Sequence, residues 1–214
     1  MKKTTFIFDL DGVITNTENS HFLAWKETCK KLDYNLSLAE NEKLKGVGRK
    51  ECLQKILKWS KLTLNSEEFE SILNKKNKLY LNYISKINSK NILSGVKNFL
   101  VTAKNKNHII ALYSSSKNAK FILKKLEIFE IFDVIIDGND VINSKPHPEG
   151  FIKAANLTNT LPENCIVFED SIAGIDGANS INMYTIGIGE KKILHSANKV
   201  YKSFNQISLQ EFTI

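Results

Sequence analysis

The residues best suited to chemistry begin with two aspartates set one apart, in the run Phe6-Ile7-Phe8-Asp9-Leu10-Asp11-Gly12-Val13. An apolar stretch opening at Thr5 ends in a carboxylate, and a second carboxylate and a glycine follow at once. In an open α/β sheet, ligands sit outside the carboxyl ends of the strands, so this arrangement brings two carboxylates to one place. One of the pair can bind a hard cation and attack as a nucleophile. The other, projecting differently from the chain, can carry a proton as general acid and base. Taken alone, Asp-x-Asp-Gly reads equally well as an acidic turn after an edge strand.

Four further features share this chemistry. Ser114-Ser115-Ser116-Lys117-Asn118 follows the apolar run Ile109–Tyr113. Hydroxyls and free backbone N–H groups at a helix start bind anions, although a lone serine there is more often an N-cap. In Lys145-Pro146 the proline biases the lysine toward an extended backbone. That aims an ammonium at a fixed point, as is useful between a carboxylate and a phosphoryl group. Glu169-Asp170 closes the run Ile166-Val167-Phe168. Two carboxylates there are unfavourable unless paired or bound to metal, and with Asp9 they compose an oxygen-only Mg²⁺ site. Finally, Arg49 is the one arginine among 30 basic residues. Lysine serves this chain wherever a solvated charge suffices, and a planar fork that grips phosphate in two bonds is what lysine lacks. Each signal is weak alone; their order and shared position after apolar strands give them weight.

The elements that must position these groups follow from hydrophobic pattern. Strand-like runs at residues 5–10, 109–113, 134–137, 166–169 and 184–188 alternate with helical patterns. This predicts an α/β fold with a Rossmann-like, mostly parallel sheet covered on both faces. Between the first two runs, residues 15–88 carry helical spacing instead, in His21, Ala24, Trp25 and Thr28, then Cys52, Leu53, Ile56 and Leu57, then Phe69, Ile72, Leu73 and Leu79. The division expected is an α/β core of residues 1–15 and 88–214 with a helical cap, residues 16–87, inserted over the site. Its hinges would lie at residues 15–16 and 87–91.

Composition narrows the classes. With 214 residues and 42% hydrophobic content the chain can bury a real core and is not disordered. No apolar run reaches bilayer length, and Met1-Lys2-Lys3 leads directly into a strand instead of a signal-peptide segment. Cys29, Cys52 and Cys165 show no ligand spacing and read as reduced thiols of a cytoplasmic protein. The net charge of +7 comes from scattered lysines, often beside acids as in Lys26-Glu27. There is no basic stripe with interleaved aromatics, so neither nucleic acid nor membrane is expected as a partner. A small anionic substrate is.

These motifs in this order (Asp-x-Asp-Gly, Ser with Lys-Asn, Lys-Pro, Glu-Asp-Ser-x-x-Gly) resemble the haloacid dehalogenase superfamily of phosphotransferases over nearly the whole chain, the C-terminal stretch excepted. Within it, His21-Phe22-x-Ala24-Trp25-Lys26, Leu44-Lys45-Gly46-Val47-x-Arg49 and Leu53-Gln54-Lys55-Ile56-Leu57 are similar to the cap motifs of the β-phosphoglucomutase family. The resemblance implies that Asp9 is the nucleophile and becomes an aspartyl phosphate. Asp11 would be the general acid and base, its carbonyl also binding Mg²⁺. Asp170 would be a metal ligand, with Glu169 a ligand or the partner of one. Ser114 and Lys145 would steady the transferring phosphoryl group. Arg49, with the backbone of Gly46 and Val47, would hold a second phosphate. Ser116, Lys117 and Asn118 would touch substrate from the core side. His21, Trp25 and Lys76 would face the sugar or the hinge, where Thr17 also lies. On spacing alone, His21 and Trp25 read instead as packing residues sharing one helix face.

The implied activity is Mg²⁺-dependent interconversion of β-D-glucose 1-phosphate and glucose 6-phosphate by a monomer, through β-glucose 1,6-bisphosphate as primer and intermediate. A sugar-phosphate phosphatase of the same superfamily is the alternative. A non-catalytic sensor is disfavoured because every catalytic carboxylate is present. Three positions depart from the family pattern: Asn16 where an acid is usual, Gly48 for a serine, which would loosen the Arg49 loop, and Cys52 for a serine near the sugar.

Overall fold

The alternation of apolar runs and helical segments resolves into one sheet in the computed structural model, which describes residues 4–212. Among these residues the strands are β1 (Thr5–Phe8), β2 (Ile109–Tyr113), β3 (Val134–Ile136), β4 (Cys165–Glu169), β5 (Tyr184–Ile188) and β6 (Lys199–Tyr201). They lie in the order β3-β2-β1-β4-β5-β6, every neighbouring pair parallel. β1 and β4 are the two central strands, and Phe8 of β1 pairs with Leu112 on one side and Phe168 on the other. The chain therefore leaves β1, β2 and β4 at one edge, which gathers Asp9, Ser114 and Asp170.

Both faces of β1 are buried, which is why its sequence is apolar throughout instead of alternating. Side chains still point to alternate faces. Phe6 and Phe8 enter an aromatic cluster with Phe99, Phe168 and Phe204 under α5 (Val96–Asn105); Phe8 stacks on Phe168 at 4.8 Å between ring centroids. Ile7 turns the other way, to Ala111, Val167 and Phe151 of α7 (Glu149–Leu157).

β1 and β3 are shorter than their apolar runs suggest, because the backbone turns away as soon as the carboxylates begin. Gly12 takes φ +85° there, a conformation that favours glycine. β6, in the C-terminal stretch, has no counterpart in the sequence pattern: a three-residue edge strand, one residue exposed and two half-buried, is too short to show a period.

Between β1 and β2 stand α1 (Glu18–Lys30), α2 (Leu38–Glu42), α3 (Arg49–Ser60) and α4 (Ser66–Tyr83). They enclose a separate apolar cluster that includes Trp25, Cys29, Leu53, Ile56 and Leu73. Capping boxes at Ser37/Glu40 and Asn65/Glu68 start α2 and α4. Two hydrogen bonds tie the insertion's ends together, from the Thr15 hydroxyl to the Asn91 carbonyl (2.9 Å) and from the Leu93 N–H to the Ile14 carbonyl (2.8 Å). No helix among the described residues is long and apolar enough to cross a membrane.

Candidate active site

Four carboxylates and one ammonium define the strand-end half of the site. Lys145 is buried, and its Nζ donates to Asp9 Oδ1 (2.5 Å), to the Tyr113 carbonyl (3.1 Å) and to Glu169 Oε1. Burial opposes its charge, but Asp9 and then Glu169 hold the ammonium well above the ordinary lysine range. Burial likewise pushes the Asp9 carboxyl well up, with Glu169 and Asp11 adding to the rise and Lys145 opposing it. Glu169 is committed on both oxygens: Oε2 accepts from the N–H groups of Asp170 and Ser171 (3.0 Å each) and from the Ser171 hydroxyl (2.8 Å). Asp170 carries no such backbone harness. Burial raises its carboxyl, and Glu18, Glu169 and Asp9 raise it further.

Oxygen atoms of Asp9, Glu169 and Asp170 lie within 4.8 Å of one another. A hard-oxygen set of this size, where crowded negative charge drives carboxyls upward, suits Mg²⁺. Glu169 braces Lys145 and the turn after β4, which leaves Asp9 and Asp170 as the freer donors.

The serine loop after β2 is a wound turn. Ser114 Oγ accepts from the Ser116 N–H (3.1 Å) and Ser116 Oγ from the Asn118 N–H (3.3 Å). Asn118, not a serine, occupies the N-cap position of α6 (Ala119–Lys125). Its side-chain amide instead reaches across to Asn77 on α4 (3.0 Å).

Asp11 joins the two halves. Thr17 stands at the N-cap of α1 but does not cap it, because its hydroxyl donates to Asp11. His21 Nε2 lies 3.6 Å from the same carboxylate oxygen. Burial would raise Asp11, yet His21 and Thr17 bring it below the usual carboxylate range. Beyond it, Lys76 Nζ lies 2.8 Å from His21 Nδ1 and over the rings of Trp25 (5.1 Å) and Tyr80 (4.8 Å). Burial, reinforced by Arg49, pushes Lys76 down to about 7. The same burial, with Lys76 beside it, lowers His21.

The loop before α3 seats the insertion on the strand ends. Gly46, at φ +71°, rests on Ser171; a Cβ there would come within 2.9 Å of the Ser171 Cβ. Gly48 is extended (φ −63°), so its conformational freedom is unused. Its N–H donates to the Ser144 hydroxyl (3.0 Å), and an added Cβ would press on Ser144 at 2.9 Å. The expectation that this glycine loosens the loop is therefore corrected: its lack of a side chain lets the loop dock beside Lys145. Arg49 opens α3, and Nη1 donates to the Leu73 carbonyl at 3.4 Å. Cys52 is buried, with its thiol directed at the Leu44 and Val47 carbonyls (3.6 and 3.4 Å). Asn16 is exposed at the chain crossing.

One cleft of about 780 Å³, its open mouth included, unites these groups. Asp9, Asp11, Ser114, Ser116, Lys117, Asn118 and Asp170 line it from the strand ends. His21, Trp25, Gly46, Val47, Arg49 and Lys76 line it from the inserted helices. Trp25 both lines the cleft and belongs to the insertion's core. Lys145, Glu169 and Thr17 stand behind the wall. Sequence reasoning missed Glu18, Lys45, Asn77 and Tyr80, which also face the cleft. Tyr80 lies one helical turn from Lys76 and could have been found by that spacing; nothing local marks Glu18.

The profile of the haloacid dehalogenase-like hydrolase family matches residues 6–188. The chain is 36% identical to a β-phosphoglucomutase of Bacillus subtilis (strain 168), covering 95% of this chain and 91% of that protein. It is 28% identical to a phosphorylated carbohydrates phosphatase of Thermotoga maritima, covering 90% and 86%. Among solved structures, the crystal structure of a β-phosphoglucomutase from Clostridium difficile superposes with a TM-score of 0.94 at 40% identity, covering 98% of this chain and 95% of that one.

Proposed function

The chain belongs to the haloacid dehalogenase-like hydrolase family, and within it we propose that this protein is a β-phosphoglucomutase. It would interconvert β-D-glucose 1-phosphate and glucose 6-phosphate through β-glucose 1,6-bisphosphate. One observation carries the choice: Asp9 and Arg49 line the same cleft from opposite elements. A mutase must grip two phosphates at once, one at the nucleophile and one at the far end. The similarity to proteins named β-phosphoglucomutase supports the same reading.

In this reading Asp9 attacks the phosphoryl group and carries it as an aspartyl phosphate, while Lys145 and Ser114 steady its oxygens. Asp11 takes a proton from the sugar hydroxyl that receives the phosphoryl group and later returns it to the sugar oxygen that departs as Asp9 is phosphorylated again. To do so it must exchange its Thr17 hydrogen bond for one to substrate. Arg49, with the N–H groups of the Gly46–Val47 loop, holds the second phosphate, and Ser116, Lys117 and Asn118 complete the grip from the core side. His21, Trp25 and Lys76 face the sugar. Asp9, Asp170 and the Asp11 carbonyl would hold Mg²⁺, which would neutralise charge on the transferring group. Residues 16–87 act as a cap whose closure excludes water, since an aspartyl phosphate open to water turns the enzyme into a phosphatase. We further infer a cytoplasmic monomer.

The 28%-identical phosphatase keeps hydrolysis as a second reading. Both rates should be measured on the same preparation, with β-glucose 1-phosphate as substrate and the bisphosphate as primer. Arg49→Lys keeps charge and loses the fork, and it should lower mutase turnover; Arg49→Ala should lower it further. Hydrolysis of the aspartyl phosphate should fall much less, because water needs no second phosphate. Equal losses in both rates, with slight mutase activity in the unaltered protein, would put the phosphatase ahead.

A further inference from the structure

Glu18 belongs to the first turn of α1, yet its carboxylate reaches the candidate cation site. Glu18 and Asp170 pack together on Gly12: a Cβ at Gly12 would meet the Asp170 carboxyl carbon at 2.6 Å and Glu18 Oε1 at 2.7 Å. The two carboxyl groups thus face each other across Gly12. On its far side Glu18 faces Lys45 (3.3 Å), which also pairs with Glu42 (3.1 Å). A chain of charged groups thus runs Asp170, Glu18, Lys45, Glu42, from the core into the insertion. Glu18, Lys45 and Asp170 also form the partition between the active cleft and a second cleft behind it, bounded by Asn16, Glu190 and Lys202. Among the described residues Glu18 is not one of the three acids whose oxygens cluster, so its action passes through Asp170.

We propose that Glu18 is a positioning residue of the cation site, supplied by the inserted helices, and that through it cation binding and the seating of the insertion favour each other. Without a cation, seating brings a further carboxylate toward Asp170 and Asp9, opposed by Lys45. A divalent cation between Asp9 and Asp170 reverses that local field, so the same carboxylate becomes a favourable neighbour. Linkage then requires the converse: a seated insertion binds the cation more tightly. Lys45 competes with the cation for Glu18 and sets the strength of the coupling. The inference rests on the cation reading of the site, and it holds for mutase and phosphatase alike.

The test is a calorimetric Mg²⁺ titration without sugar phosphate. Glu18→Gln removes the charge and keeps the shape; it should weaken Mg²⁺ binding by about tenfold or more, the usual loss when a ligand's partner is altered. Lys45→Met removes the competitor and should tighten it. Glu42→Gln alters a pair of Lys45 without touching Asp170 and should change the affinity by no more than about twofold, as an exposed pair does. Hydrogen exchange supplies a second readout: Mg²⁺ should protect the amides of Gly46 and Val47 in the unaltered protein and not in Glu18→Gln. Weakening by Glu18→Gln no greater than by Glu42→Gln would overturn the proposal. So would weakening by Lys45→Met, since a merely structural strut loses affinity whichever end is cut. If the unaltered protein binds no Mg²⁺ at all, the cation reading itself fails and takes this inference with it.

Discussion

Two buried lysines, one in the wall of the cleft and one behind it, have opposite fates. Lys145, at the strand ends, lies between Asp9 and Glu169 and is held firmly charged. Lys76, on the inserted α4, has a histidine nitrogen and two aromatic faces for company, with Arg49 adding positive charge nearby, and it falls to about 7. The strand-end half is thus preorganised, its charges answering one another. The inserted half is short of negative charge, and a sugar phosphate of the kind proposed would supply it. Preorganised charge favours the chemical step; a charge deficit favours capture of an anion. In the proposed reading the two halves divide those tasks, and Asp11 touches both.

The contrast can be broken most severely at Lys145. Lys145→Met leaves Asp9 and Glu169 buried without their shared cation, so turnover should vanish and stability should fall by about 3–5 kcal/mol, as when one partner of a buried pair is removed. Urea unfolding at neutral pH measures it, and a nearly unchanged midpoint would show the strand-end half to be less interdependent than its hydrogen bonds imply.

Asp11→Asn keeps the backbone carbonyl and removes the carboxyl to which the proposed mechanism assigns proton transfer. Metal affinity should hold while the rate falls roughly 10²–10⁴-fold; full activity would remove Asp11 from the acid–base role.

Lys76→Met should act with the opposite sign to Lys145→Met. A lysine ordinarily titrates at 10.5 and this one at about 7. Between those values the unfolded chain binds the proton and the folded protein does not, so this group makes stability rise with pH across that window. At pH 7 the buried ammonium therefore destabilises the fold. Its removal should raise stability by roughly 2–4 kcal/mol and flatten that pH dependence, while KM for the sugar phosphate rises. Thermal unfolding from pH 7 to 10 checks the first effect. If Lys76→Met is destabilising across the range, the charge deficit of the inserted half is not real.

The smallest effect is expected where the halves touch. Gly48→Ser presses a side chain against Ser144 and should raise KM by about fivefold, near the low end of overpacking costs, with little change in the unfolding midpoint. An unchanged KM would mean that the loop yields freely.

Much of the fold could be read directly from the chain. The apolar runs ending in acids announced a parallel sheet with carboxylates at its edge, because a strand buried on both faces needs an uninterrupted apolar run. The long helical stretch after the first strand announced the insertion for an equally local reason, its spacing. Lys145 could be flagged by the adjacent proline and Arg49 by being the one arginine. β6 could not be read, since an edge strand of three residues is specified by the neighbour it pairs with. Only the tertiary structure decided what the polar residues do. Thr17 has the type and position of an N-cap, yet its hydroxyl goes to Asp11. Gly48 looks like a flexible link and serves as a seat. Glu18 looks like an ordinary first-turn acid and reaches Asp170. The fates of Lys76 and Lys145 could not be told apart by type or neighbours in sequence, because a buried charge is set by whichever groups the fold brings within a few ångströms, and Asp9 is 136 residues away from Lys145.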